Sequence, residues 1–132
     1  FNRLAGKLPE RVQKRARHIV EEIARSEKAI ALLESGDIAA FGKLLNECHT
    51  SLRDLYEVSI PELDIMVEIA QRLPGVWGAR LTGAGFGGCT VNLVEKTAVA
   101  DFVSALEQGY TARTNLKPEI YVCSASAGTA II

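Results

Sequence analysis

Six of the chain's 11 glycines fall between positions 75 and 88, and the hydrophobic pattern changes at the same place. Upstream, apolar residues recur every three or four positions, the period of a helix. Downstream they come in short runs suited to strands. Such a chain has to put helices first, then two strands joined by a loop with almost no side chains. Glycine loses more backbone freedom on folding than any other residue, so this density is costly. It implies a backbone that bends sharply or is approached closely by another object.

From about Glu10 to Glu34, Val12, Ala16, Ile19, Val20, Ile23, Ile30 and Leu33 recur at spacings of three, four and seven. They share one face of a long helix, and that face is the one expected to bury. Arg11, Lys14, Arg15, Arg25 and Lys28 fall elsewhere, interleaved with Glu21, Glu22 and Glu27. Mixed signs read as a solvated face rather than a phosphate or nucleic-acid patch. Ser35-Gly36 closes this helix, and Asp37 is the N-cap of the next. In the second helix Ile38, Phe41, Leu45, Cys48, Leu52 and Leu55 form a narrow seam for antiparallel packing on the first. Ser59-Ile60-Pro61-Glu62 has the form of a capping box for a third helix, which buries Leu63, Val67, Ala70 and Leu73 before Pro74-Gly75 stops it.

Beyond Gly75, the pattern predicts strands at 76–81 and 89–94, a helix from about Ala98 to Gln108 ended by Gly109, and strands at 119–123 and 129–132. The fold class is therefore α+β, helices packed on a small, mainly antiparallel sheet. With 132 residues, 48% hydrophobic, 23% charged and a net charge of −1, the chain reads as one globular domain. That balance excludes a broad basic field for nucleic acid, and no apolar run is long enough to cross a membrane. Cys48, Cys89 and Cys123 are scattered without a CxxC pair and read as reduced, buried thiols. His18 and His49 have no partner at ligand spacing, so side-chain metal chemistry is not expected.

The loop itself rules out several phosphate-binding designs. Gly83, Gly85 and Gly88 satisfy G-x-G-x-x-G, but a strand pattern follows where a dinucleotide site needs a helix. No Gly-Lys-Ser/Thr is present, nor the lysine, H-R-D and D-F-G that accompany a protein-kinase glycine loop. A wide hairpin with glycines needed only for turns is the plain alternative. The packing of Gly and Ala around Phe86 argues for more than turns. Beside the loop, Arg80 could face a phosphate or solvent, and Thr82 could meet a nucleotide through its hydroxyl, though a β-branched strand residue is the simpler account. Arg53, Asp54, Tyr56 and Glu57 form a polar helix end, either a domain brace or a set of local ion pairs.

Gly78-Ala79-Arg80-Leu81-Thr82-Gly83-Ala84-Gly85-Phe86-Gly87-Gly88-Cys89 resembles the third conserved motif of the GHMP small-molecule kinases. Arg15-Ala16-Arg17-His18-Ile19-Val20-Glu21-Glu22 and the stretch from Ser51-Leu52-Arg53-Asp54 to Pro61-Glu62-Leu63-Asp64 extend the resemblance to roughly positions 10 to 125. Ala84 stands where many relatives have Gly, a change that leaves the loop small.

The resemblance implies a ferredoxin-like two-layer sandwich with additional N-terminal helices, residues 1–132 forming the C-terminal domain of a two-domain kinase. It implies transfer of the γ-phosphoryl of ATP, with Mg²⁺, to a small-molecule alcohol, most closely the anomeric hydroxyl of galactose. Other sugars, mevalonate or homoserine are the alternatives within the family, and a non-enzymatic ligand-binding module is the alternative outside it. ATP and Mg²⁺ would be held mainly by the N-terminal domain, the expected partner of this chain, and no residue here is expected to be catalytic. Gly83, Ala84, Gly85, Phe86, Gly87 and Gly88 would line the ATP and substrate cleft. The expected setting is cytoplasmic.

Overall fold

A computed structural model describes residues 1–126 of the chain. A single helical turn, α1 (Asn2–Ala5), precedes the 26-residue α2 (Glu10–Ser35), which ends on Gly36 in the left-handed conformation (φ 73°). α3 (Ile38–Ser51) starts at Asp37, whose carboxylate accepts the Ala40 amide at 2.9 Å, and runs into a π-helical turn at Leu52–Tyr56. α4 (Pro61–Arg72) leads through the Gly75 turn into β1 (Val76–Thr82). β2 (Cys89–Val94) pairs antiparallel with β1, Thr82 opposite Cys89 and Leu81 opposite Thr90. A short 3₁₀ turn (Lys96–Ala98) then opens α5 (Val99–Thr114).

The result is an α+β, two-layer arrangement. Val67 and Ala70 of α4, Ala79 of β1, and Phe102 and Leu106 of α5 form the main core, and Val58, Leu63 and Leu81 a second cluster beneath the loop. Full burial of each larger side chain stabilises by about 1.5–3 kcal/mol, enough to fix the sheet against the helices.

α3 lies along the free edge of β1 and satisfies it. Asn46 Oδ1 accepts from the Ala79 amide at 2.8 Å, and His49 Nδ1 accepts from the Leu81 amide at 3.3 Å. An open strand edge invites foreign pairing, and a helix that caps its amides removes the hazard. Two glycines permit the approach. A Cβ on Gly42 would sit 2.2 Å from Trp77 O, and one on Gly78 would sit 2.1 Å from Gly42 O.

Several expectations are corrected. The apolar stripe of α2 does not bury: Val12, Ile19, Val20, Ile23, Ile30 and Leu33 are exposed. A polar seam faces α3 instead, with His18 and Arg25 bonded to Ser51, and Glu22 bonded to Cys48. Both stripes repeat at helical spacing, so period alone could not choose between them. The apolar seam expected on α3 is likewise incomplete, because α3 has two neighbours and buries Gly42, Leu44, Cys48, His49 and Ser51.

The capping box does not form. Ile60 is the N-cap of α4 with no side-chain cap, and Ser59 donates to Asp64 Oδ1 at 2.5 Å. Gly109 does not end α5, which continues to Thr114. There a Cβ would press on Ile69 at 3.3 Å, so the glycine serves helix–helix approach, and the left-handed Asn115 (φ 57°) stops the helix. The strand expected at 119–123 is an extended segment that joins no sheet among the described residues. Ile120 packs on the main core, whereas Tyr121 and Val122 stay exposed and Pro118 has no amide to offer a ladder. The strand expected at 129–132 lies outside the described residues. Of the three thiols only Cys48 is buried; Cys89 opens β2 on an outward position and Cys123 lies on the extended segment.

Candidate functional site

The strands hold the 83–88 loop at one end of the sheet, and its backbone explains its composition. Positive φ occurs at Gly83 (86°), Gly85 (81°), Phe86 (58°), Gly87 (127°) and Gly88 (94°). Side chains rarely adopt such angles, so glycine is the residue the path selects. Phe86 adopts one nonetheless, and the residue is 73% exposed. Its amide donates to Val58 O at 2.7 Å, which ties the loop tip to the chain between α3 and α4. Gly85 is needed for the same contact, because a Cβ there would meet Val58 O at 2.3 Å. At Gly83, Gly87 and Gly88 an added Cβ would meet nothing within 4 Å. The loop is thus anchored at one point and open along the rest.

The anchor is itself braced. After the π-helical turn, Glu57 takes a left-handed conformation (φ 56°), and Val58 N donates back to Leu52 O at 3.1 Å. π-turns are costly to hold and need support from their surroundings. Arg15 supplies it, donating to Leu55 O and to Glu57, each at 2.6 Å, with its guanidinium 5.8 Å from the Tyr56 ring centroid. His18 stacks on the same Tyr56 ring, at 4.5 Å between centroids. Lys14 adds a second cation on Glu57. Arg53 and Asp54 pair with each other at 2.7 Å. Arg53 and Asp54 thus form a local ion pair, whereas Tyr56 and Glu57 are held by α2 through His18, Arg15 and Lys14.

Both histidines, which sequence spacing left without a role, are buried connectors. His49 links β1 to α4: Nδ1 accepts from the Leu81 amide, which places the ring proton on Nε2, 3.3 Å from Asp64 Oδ1. Leu81 is two residues before the loop, so this bridge fixes where the loop begins. Gly42, Asn46 and His49 lie at i, i+4 and i+7, and this small-and-polar stripe was the legible mark of a helix running along a strand edge.

Arg80, weighed as a phosphate ligand, is turned inwards. It donates to Leu81 O and to Cys48 Sγ and lies 3.6 Å from Glu22. Burial and the hydrogen bond to Glu22 push the Cys48 thiol up to about 12, so it stays protonated and donates to that carboxylate. Burial would raise the Glu22 carboxyl, but the bonds from Cys48 and Arg25 and the Arg25 and Arg80 charges together hold it below its ordinary range.

Burial lowers both histidines from the ordinary value of 6.5, outweighing Glu22 beside His18 and Asp64 beside His49. The folded protein therefore binds fewer protons than the unfolded chain below that value. The contribution of the two histidines to stability is fully present above about pH 6.5 and is lost as pH falls below it towards their lowered folded values. The melting temperature is expected to drop by several degrees between about pH 7 and pH 5.5, and a His18→Gln/His49→Gln variant should show a flatter profile. Thermal melts across that range check this.

Gly88 and Cys89, at the end of the loop, also line an open groove of about 520 Å³ with Leu63 and Met66 of α4, Tyr110 of α5 and the extended segment 116–121. Asn92 Oδ1 in its wall is buried with no hydrogen-bond partner among the described residues. Of the residues 83–88, Gly88 is the one that lines this groove. Among the described residues no three His, Cys, Asp or Glu side chains gather to hold a metal, and no helix is long and apolar enough to cross a membrane.

The site is thus a glycine loop between two antiparallel strands, tied beneath to the segment between α3 and α4. Residues 29–112 match the family described as GHMP kinases C terminal, and the chain belongs to that family. The particular relatives are galactokinases. The chain is 54% identical to the galactokinase of Roseiflexus sp. (strain RS-1) over 92% of its length and 31% of the relative's. It is 54% identical to that of Homo sapiens over 74% of its length and 25% of the relative's. The crystal structure of Lactococcus lactis galactokinase complexed with galactose superposes with a TM-score of 0.80 at 45% identity, covering 83% of this chain and 28% of that one. The chain thus spans less than a third of the length of these relatives.

Proposed function

We propose that residues 1–132 form the C-terminal domain of a sugar kinase that transfers the γ-phosphoryl of ATP to the anomeric hydroxyl of galactose. The observation that carries this reading is the loop at 83–88, tied among the described residues to Val58 and open at Gly83, Gly87 and Gly88, in a chain 54% identical to a galactokinase over 92% of its length.

Phosphoryl transfer depends on positioning and charge stabilisation more than on covalent help from the protein. Apart from the amide of Phe86, no loop amide donates across to another segment among the described residues, which leaves a row of donors for an anion. Gly83, Ala84, Gly85, Phe86, Gly87 and Gly88 would close one wall of the cleft around the triphosphate, the small residues admitting the opposing domain. ATP supplies the transferred group, with Mg²⁺ as its counter-cation; among the described residues no three His, Cys, Asp or Glu side chains gather around a metal position. Catalytic groups and the metal are assigned to the N-terminal domain, the partner of this chain. The free thiols support a reducing, cytoplasmic setting.

Phosphorus NMR of the full-length protein with ATP and Mg²⁺ tests this. Galactose 1-phosphate should accumulate. Turnover of mevalonate or homoserine with none of galactose would overturn the substrate assignment.

A further inference from the structure

α2 carries two stripes. Arg15, His18, Glu22 and Arg25 form the seam that faces α3 and the turn after it. Val12, Ile19, Ile23, Ile30 and Leu33 form the other, in steps of seven, four, seven and three, roughly 100° round the helix at 3.6 residues per turn. This second stripe faces away from the rest of the described chain, with Ile23 58% and Ile30 61% exposed. It runs along most of a helix about 39 Å long. Isolated apolar residues on a surface need no explanation, but a contiguous stripe of this length does.

We infer that this stripe is an intramolecular docking face, covered by a segment of the same polypeptide that precedes Phe1. The relatives are more than three times as long as the part of them this chain matches, and the matched family is a C-terminal one, which puts the missing length upstream. The spacing of three, four and seven fits a packed helix or sheet layer running the length of α2. The polar remainder of the surface also fits. Arg17, Glu21 and Lys28 lie on the side of α2 away from both stripes and remain for water. This inference does not depend on the phosphoryl-transfer reading, and its failure would leave that reading intact.

The test uses the full-length protein with one engineered thiol, Ile23→Cys, and a control, Lys28→Cys, on the solvent side. Maleimide labelling is followed by peptide mass spectrometry, which separates these sites from Cys89 and Cys123. The thiol at position 23 should react at least tenfold more slowly than the one at position 28. The protection should be independent of protein concentration and vanish in denaturant. Equal labelling rates at the two positions would overturn the inference. So would protection that is lost on dilution, which would assign the stripe to a second copy of the chain.

Discussion

Gly42→Val is expected to remove the cooperative thermal transition or to lower its midpoint by roughly 15 °C. A Cβ at this position stands 2.2 Å from Trp77 O and 2.4 Å from Trp77 C, both backbone atoms that cannot swing aside. Relief requires α3 to move off β1. That movement breaks the Asn46–Ala79 and His49–Leu81 hydrogen bonds, and it leaves two strand amides buried without partners. Overpacking costs about 1–3 kcal/mol, and each lost hydrogen bond about 1 kcal/mol more, for a sum of about 4 kcal/mol. Domains of this size are stable by about 5–15 kcal/mol, so the change is large. Gly36→Ala is the contrast: Gly36 has φ 73° but open space around it, and only the left-handed penalty of about 1–2 kcal/mol applies. Calorimetry of both variants beside the parent checks the ranking.

Gly85→Val should lower the turnover of the full-length kinase by about 100-fold, the scale on which a displacement of about 1 Å acts at a reacting centre. The Cβ would meet Val58 O at 2.3 Å and force the loop tip off its anchor, breaking the Phe86–Val58 bond. The strained φ of 81° adds to the displacement. The main core of Val67, Ala70, Ala79, Phe102 and Leu106 lies outside this contact. Val58 does belong to the smaller cluster with Leu63 and Leu81, so a loss of a few degrees in melting temperature should accompany the loss of rate. Gly83→Ala, where an added Cβ meets nothing within 4 Å, should fall between the parent and Gly85→Val. Steady-state kinetics of the three proteins, with melts run alongside, check the order.

Much of this was legible in the residues. The helix start at Asp37, the proline that opens α4, the stop at Gly36, the strand pair, and the loop between them follow from capping at Asp37, proline and glycine placement, and period. Features set by contacts between distant segments were not. Which stripe of α2 buries depends on what lies beside the helix, and a single sequence carries two stripes of equal periodicity. Gly109 resembles a stop until Ile69 is found against it. Ser59 resembles half of a capping box until His49 draws Asp64 to its side and Ser59 donates there. Segment 119–123 has the composition of a strand, but a strand also needs a neighbour, and among the described residues β2 does not serve as one. At the site, the glycine-selecting angles were foreseeable from composition. The Val58 anchor, set by a hydrogen bond between segments far apart in sequence, was not.

Amide hydrogen exchange of the full-length protein, with and without a non-hydrolysable ATP analogue and Mg²⁺, puts the role given to the loop to its plainest trial. Peptides spanning 83–88 should exchange quickly in the free protein and slow by at least tenfold when nucleotide binds. Unchanged exchange in those peptides, at a nucleotide concentration that protects other parts of the molecule, would contradict it.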